Sequence, residues 1–108
     1  MLEKEIERRL GQMLEKQGCI YLKFESPNNP GVPDRIVITP GGRTIYLELK
    51  TEVGRLANIQ RWQIDRMRKN GADVRVIKGL DQAKAFAKEV EGLCGLPPMN
   101  TNGMVLGE

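Results

Sequence analysis

The spacing of apolar residues along the chain predicts three amphipathic helices. In residues 2–17, apolar side chains recur at helical intervals between charged ones, namely Ile6, Leu10, Met13 and Leu14. The same period returns in residues 58–70, after which Gly71 supplies a left-handed stop. It returns again in residues 81–93, where Asp81 is a suitable N-cap. Each predicted helix therefore has one apolar face that must be buried.

Four short segments of β-rich composition lie between these helices. They are residues 19–24, 34–39, 43–51 and 74–77. The second and third are separated only by Pro40, Gly41 and Gly42, which are typical of a tight turn and predict a hairpin. The chain then has the element order αβββαβα and an α/β fold.

The length of 108 residues leaves room for one domain, which we expect to span residues 1–94. Residues 95–108 contain prolines and glycines and almost no charge, so they are predicted to be a tail without a core of its own. The tail contains three consecutive apolar residues that could dock on a partner chain, namely Met104, Val105 and Leu106.

Composition excludes several kinds of chemistry. The chain has no histidine, which removes histidine-ligated zinc, Ser-His-Asp and Cys-His systems. Cys19 and Cys94 lack metal-site spacing and are expected to be thiols. The N-terminus is charged and no apolar run is long enough to span a membrane, which predicts a cytoplasmic protein. Any catalysis must therefore use carboxylates, lysine or a hard metal ion.

Positive charge is concentrated in one part of the chain. The protein has a net charge of +3, but residues 54–79 alone hold seven basic and two acidic residues. Such a local excess favours a phosphate backbone as the partner. We expect contacts to such a backbone to come from Arg35 and from four residues of this segment, namely Arg55, Arg61, Arg68 and Lys69.

Strand periodicity places two acidic residues together. If Thr39 pairs with Arg43 across the predicted hairpin, counting outward puts Asp34 directly opposite Glu48, with Cβ atoms about 5 Å apart. Two like charges in such positions destabilise a sheet unless something neutralises them. Carboxylate oxygens suit Mg²⁺ or Mn²⁺, and we expect Asp34 and Glu48 to be the ligands.

Two neighbours on the same strand extend this predicted site. Lys50 follows Glu48 by two residues and shares its face, so its ammonium could orient a water or neutralise charge in a transition state. The backbone carbonyl of Leu49, between them, could be a further metal ligand. On the helix that follows, Gln60 is predicted to face inward, where it could bond to a liganding carboxylate.

Each of these residues also has a purely structural interpretation. Glu48 and Lys50 could be the solvent-facing members of a surface hairpin, and Gln60 could be a core glutamine whose hydrogen bonds are satisfied. On the first helix Glu3 and Glu7 both flank the apolar stripe, and either could reach the metal. Acidic residues are also favoured in a first helical turn for electrostatic reasons alone.

Five sequence blocks, in order, resemble a known family. They are KFESP at 23–27, GVPDR at 31–35, YLELK at 46–50, GRL at 54–56 with Gln60, and GADVRV at 71–76. They are similar to the VRR-NUC (virus-type replication-repair nuclease) domain of the PD-(D/E)xK superfamily, in its free-standing phage and bacterial form. The resemblance extends from the first helix to about residue 79.

The resemblance implies a restriction-endonuclease-like core with a mixed central sheet flanked by helices. It implies a Mg²⁺- or Mn²⁺-dependent endonuclease in which Asp34 and Glu48 bind metal, Lys50 and Gln60 assist catalysis, and Glu7 is the helix-1 glutamate. It also implies a homodimer that acts on branched or four-way (Holliday) junction DNA in a bacterial or phage-infected cell. Two alternatives remain open, namely a DNA-binding module without catalysis and a restriction-type or toxin-type nuclease.

Overall fold

The computed structural model describes residues 1–98, and their element order is the predicted αβββαβα. The elements are α1 (Glu3–Lys16), β1 (Ile20–Lys23), β2 (Arg35–Ile38), β3 (Thr44–Lys50), α2 (Asn58–Lys69), β4 (Asp73–Lys78) and α3 (Gly79–Leu93). The predicted α/β class is therefore confirmed, and element boundaries differ from the predicted ones by one or two residues.

The four strands form one mixed sheet in the order β1-β2-β3-β4. β1, β2 and β3 are antiparallel neighbours, whereas β4 pairs parallel with β3 after the crossover through α2. The β2–β3 register pairs Arg35 with Leu47, and the Thr39 N–H donates to the Arg43 carbonyl at 2.9 Å. This is the predicted hairpin register. The turn uses Gly41 and Gly42 at φ of 103° and 94°, which residues with a Cβ adopt with strain.

One face of the sheet forms the main core. It contributes the fully buried side chains of Val37, Ile45, Leu47 and Leu49. α1 and α3 cover this face with Ile6, Leu10, Leu14, Ala83, Phe86, Ala87 and Val90. Burial of each large aliphatic side chain contributes about 1.5–3 kcal/mol, so this layer supplies most of the stability.

α2 lies on the opposite face of the sheet, where it contacts β4. Ile64 of α2 and Val74 of β4 are buried there, outside the main cluster. Successive side chains of β3 point to opposite faces of the sheet. Leu47 and Leu49 therefore enter the main core, and Glu48 points to the α2 side. On this face of β3, Glu48 is buried and bonded by Gln60 of α2, whereas Thr44 is exposed.

The start of α3 differs from the prediction. The helix begins at Gly79, so Asp81 lies in its first turn and is not the N-cap. The side chain of Gln82 serves the helix start instead, because its Oε1 accepts a hydrogen bond from the Lys78 N–H at 2.7 Å. Sequence spacing favoured Asp81 because an acidic residue is common both at the cap and in the first turn.

Cys19 is buried, Cys94 is partly buried, and both are free thiols. Burial and the neighbouring Cys94 raise the pKa of the Cys19 thiol to about 11. The Cys19 thiol is therefore protonated at neutral pH.

The first residues of the predicted tail contact the hairpin turn. The Gly95 N–H donates to the Pro40 carbonyl at 2.7 Å, and the Leu96 carbonyl lies against Gly41. Met104, Val105 and Leu106 lie outside the described residues. No helix among residues 1–98 is long and apolar enough to cross a membrane.

Gly31→Ala should destabilise the protein by about 1–3 kcal/mol. Gly31 has a φ of 89°, and a Cβ built there would lie 2.6 Å from the Ile59 carbonyl oxygen of α2. Gly92→Ala is the matched control, because Gly92 lies inside α3 with open space where a Cβ would stand and should gain about 0.5–1 kcal/mol. Urea unfolding of both variants measures the difference. Equal stabilities would contradict the tight contact between this loop and α2.

Candidate active site

The structure brings Asp34 and Glu48 together as the register predicted. Asp34 lies one residue before β2, so the pairing of Arg35 with Leu47 continues to Asp34 opposite Glu48. Asp34 Oδ2 accepts a hydrogen bond from the Leu49 N–H at 3.4 Å. The Glu48 side chain is only 1% exposed, and its Oε1 has no hydrogen-bond donor within residues 1–98. A buried carboxylate oxygen without a donor requires an explanation.

The pair is strongly coupled electrostatically. Burial, followed by the charge of Asp34 and a hydrogen bond with it, raises the pKa of Glu48 to about 8, against an opposing effect of Lys50. Glu48 in the metal-free protein is therefore expected to hold a proton at neutral pH. A cation bound to both carboxylates would replace that proton.

Lys50 is the third member of the site. It shares the β3 face of Glu48, and its Nζ lies 3.6 Å from Glu48 Oε2 with the side chain 16% exposed. The ammonium is thus partly exposed beside the buried Glu48 carboxyl. The interpretation as a solvent-facing hairpin does not fit, because Glu48 is buried beneath α2.

Gln60 connects α2 to this pair. Its Nε2 donates to Glu48 Oε2 at 3.1 Å, and its Oε1 accepts from the Ala57 N–H at 2.9 Å. One side chain therefore caps the start of α2 and fixes the rotamer of Glu48. The predicted inward orientation of Gln60 is correct, and its partner is the carboxylate rather than the apolar core.

The Leu49 backbone also faces the site. The N–H and C=O of one residue in an extended strand point to the same side, and the Leu49 N–H points to Asp34. Its carbonyl therefore faces the end of the hairpin where the two carboxylates meet. Its role as an oxygen ligand stays a prediction.

Glu7, the expected helix-1 ligand, is paired elsewhere, which corrects its predicted placement. Its Oε1 accepts from Arg35 Nε at 2.6 Å, and its backbone carbonyl accepts from the Tyr21 hydroxyl. Glu3 lies one turn earlier on α1 and is the acid affected by the charges of the site. Burial and then Asp34 raise the pKa of Glu3, and Lys50 lowers it. The sequence could not separate the two residues because both flank the same helical stripe.

The residues predicted to bind DNA fall into two groups. Arg35 is committed to Glu7, and its guanidinium also lies 4.9 Å from the centre of the Tyr21 ring. Arg68 donates two hydrogen bonds to the Val74 carbonyl, at 3.1 and 2.7 Å, and so joins α2 to β4. The others are exposed and form no ion pair within residues 1–98, namely Arg55, Arg61 and Lys69.

Gln63 is a positioning residue that the sequence pattern did not single out. It is 2% exposed, and its Nε2 donates to the Pro30 carbonyl at 3.1 Å. The loop that starts at Pro30 runs through the buried Pro33 directly into Asp34. α2 therefore holds both carboxylates, Glu48 through Gln60 and the Asp34 loop through Gln63. The available signal was a second glutamine next to Ile64, on the buried side of the helical wheel.

The donor set fits a hard divalent cation. It comprises two carboxylates, one unpartnered carboxylate oxygen and one backbone carbonyl, and Mg²⁺ typically takes one or two protein carboxylates while keeping waters. Residues 1–98 contain no cluster of three or more acidic or cysteine side chains arranged around a metal position. Neither Glu3 nor Glu7 therefore completes the pair as its side chain stands.

Solved structures share this fold. A "VRR_NUC domain" superposes with a TM-score of 0.74 at 25% identity, covering 80% of this chain and 94% of that one. A "VRR_NUC domain protein" superposes with a TM-score of 0.67 at 17% identity, covering 93% and 98%, and this likeness concerns the fold alone. No protein-family model matches the chain.

One curated relative matches in sequence. It is "Putative nuclease p44" of Acyrthosiphon pisum secondary endosymbiont phage 1, with 46% identity over 48 residues, or 44% of this chain. The chain spans 52% of the length of that relative. The mixed sheet and the flanking helices define a PD-(D/E)xK type of core. Within that class the chain is similar in fold to solved VRR-NUC domains.

The stability of the metal-free protein should fall as pH rises from about 4.5 to about 8. The folded-state pKa of Glu48 lies above its unfolded value, so the folded state binds more protons in this window. Each pH unit should lower the free energy of unfolding by up to about 1.4 kcal/mol. Thermal melts in EDTA at several pH values measure the slope, and Mg²⁺ should restore stability most at high pH.

Glu48→Gln should flatten this slope because it removes the titrating group. Glu89→Gln is the matched control, since a hydrogen bond from Arg75 lowers the pKa of Glu89 and moves its titration below the window. If Glu48→Gln has the same slope of stability against pH as the wild type, the assignment of the buried proton to Glu48 is wrong.

Proposed function

We propose that the chain is a metal-dependent endonuclease that hydrolyses phosphodiester bonds in DNA. The observation that carries the proposal is the buried Glu48 carboxyl, which lies beside Asp34 with one oxygen unpartnered and Lys50 Nζ 3.6 Å from the other. A buried acid of this kind is neutral until a cation pairs with it. The phage relative described above is named as a nuclease, which supports the same activity.

The side chains divide the proposed chemistry among them. Asp34, Glu48 and the Leu49 carbonyl would hold Mg²⁺ or Mn²⁺, which supplies a Lewis acid and lowers the pKa of a bound water. Lys50 would place its ammonium against the phosphate oxygens, where negative charge increases in the transition state. Gln60 keeps Glu48 in one rotamer, so the ligand does not have to be ordered when DNA binds.

Asp34→Asn and Glu48→Gln should abolish cleavage of labelled DNA in Mg²⁺ or Mn²⁺, because each removes one of two carboxylate ligands. Lys50→Ala should lower turnover by about 100-fold or more while DNA binding persists, since the proposed role of Lys50 lies in the transition state.

The matched control is Lys88→Ala, because Lys88 is an exposed lysine of α3. DNA binding without cleavage by the wild type would favour the DNA-binding module, and Lys50→Ala within tenfold of wild type would refute its catalytic role.

We extend the proposal to a homodimer acting on branched DNA such as a four-way junction. A domain of this size offers a footprint near the small end for DNA-binding modules. Two copies related by a two-fold axis would present two sites and two α2 helices to a junction that is itself nearly symmetric. The resemblance to free-standing VRR-NUC domains supports this arrangement.

Light scattering at micromolar concentration should give the mass of two chains. Cleavage mapping on an immobile four-way junction should then show symmetric cuts in opposing strands, with linear duplex cut more slowly. A monomer that cuts both substrates equally well would contradict both the dimer and the junction preference.

DNA affinity should fall steeply with salt because phosphate contacts release counterions. Arg61→Ala and Lys69→Ala should each flatten the slope of log affinity against log salt by up to about one unit, for all sequences alike. Arg75→Ala is the control, since its guanidinium is already bound by Asp73 and Glu89. If the Arg61→Ala, Lys69→Ala double variant keeps the wild-type slope of log affinity against log salt, these two residues do not contact DNA.

A further inference from the structure

The outward face of α2 carries the only tryptophan of the chain. Trp62 follows Gln60 by two residues, which places it about 200° around the helix from the side chain that reaches Glu48. The indole therefore faces away from the sheet and is 54% exposed. Ile59, one turn earlier, is 43% exposed and extends the apolar strip. The exposed parts of Trp62 and Ile59 are therefore available to a binding partner.

The ring already has a cation on one side. The Arg66 guanidinium, four residues on, lies 5.1 Å from the centre of the Trp62 ring. Within residues 1–98 this guanidinium forms no ion pair or hydrogen bond with another side chain. One surface thus combines an accessible aromatic face with an uncommitted positive charge.

The positive charge of α2 around Trp62 favours an anionic partner. α2 contains four basic residues and one acidic residue, and none of them is in an ion pair among the described residues. The arginines that have acidic partners lie elsewhere, namely Arg8, Arg35 and Arg75. An anionic ligand with flat apolar faces fits this surface. A nucleotide supplies both parts, because its base stacks on an aromatic ring and its phosphate pairs with a cation.

We propose that Trp62 and Arg66 form a stacking site for unpaired bases, on the side of α2 away from the carboxylate pair. Bases within a duplex have both faces covered by their neighbours, so the site would select single-stranded segments. The proposal rests on the DNA substrate proposed above and adds to it a preference for DNA with unpaired nucleotides. The site acts in binding and contributes no group to the chemistry at Glu48.

The single tryptophan makes a direct test possible. Wild-type protein in EDTA is titrated with an oligothymidylate of about 12 nucleotides and with a blunt duplex of equal length, while the indole fluorescence is recorded. Stacking should quench the emission saturably with the single strand and much less with the duplex. Because the assay involves no cleavage, a failure of the proposed nuclease activity would leave this result unaffected.

Variants separate stacking from general attraction to phosphate. Binding is followed by the anisotropy of a labelled oligonucleotide. Trp62→Ala should weaken single-strand binding by about 10- to 100-fold and duplex binding by less, whereas Trp62→Phe should retain most of it. Leu22→Ala is the control, since this residue is 46% exposed on β1, away from α2. Thermal melts should show that Trp62→Ala remains folded, as its side chain packs on little.

Three results would overturn the proposal. The first is a Trp62 fluorescence that does not change when single-stranded DNA is added. The second is a Trp62→Ala variant that binds single strands as the wild type does. The third is a DNA-free dimer, seen by light scattering, that Trp62→Ala converts to monomer, because a second copy would then be the partner of this surface.

Discussion

Burying the Glu48 carboxyl beside Asp34 costs free energy, and the groups around this pair are arranged to hold it in place. The strand register sets the two acids opposite each other, and the Leu49 N–H binds the Asp34 carboxylate. The remaining cost is relieved by a proton, which is why the pKa of Glu48 rises to about 8. A pair that binds a proton this strongly is also one that a divalent cation would stabilise.

α2 is the element that makes this arrangement rigid. Gln60 reaches Glu48, Gln63 holds the Pro30 carbonyl in the loop before Asp34, and Arg68 ties the helix to the Val74 carbonyl of β4. These polar links lie on the sheet side of the helix or at its flank. The opposite side is left free to carry positive charge and the exposed indole. One side of α2 therefore supports the site, and the opposite side is the surface available to a partner.

α1 contributes packing to the core and an ion pair at the edge of the sheet. The Glu7–Arg35 pair joins α1 to the first residue of β2, and the Tyr21 hydroxyl binds the Glu7 backbone carbonyl from β1. Arg35 follows Asp34 directly, so this pair also fixes the backbone beside the proposed metal ligand. Glu7 is thus held by Arg35, next to Asp34 in the chain, and Glu3 is the α1 acid whose pKa is raised by burial and by Asp34.

The sequence alone determined the order of elements, the hairpin register and the meeting of Asp34 with Glu48, because strand alternation and a short glycine turn are local properties. It also predicted that Gln60 faces inward, since helical periodicity is local as well. Only the tertiary structure paired Glu7 with Arg35, bonded Arg68 to the Val74 carbonyl, and brought Gln63 to Pro30. Those outcomes depend on which residues distant in sequence come within hydrogen-bond reach, and no local pattern encodes that distance.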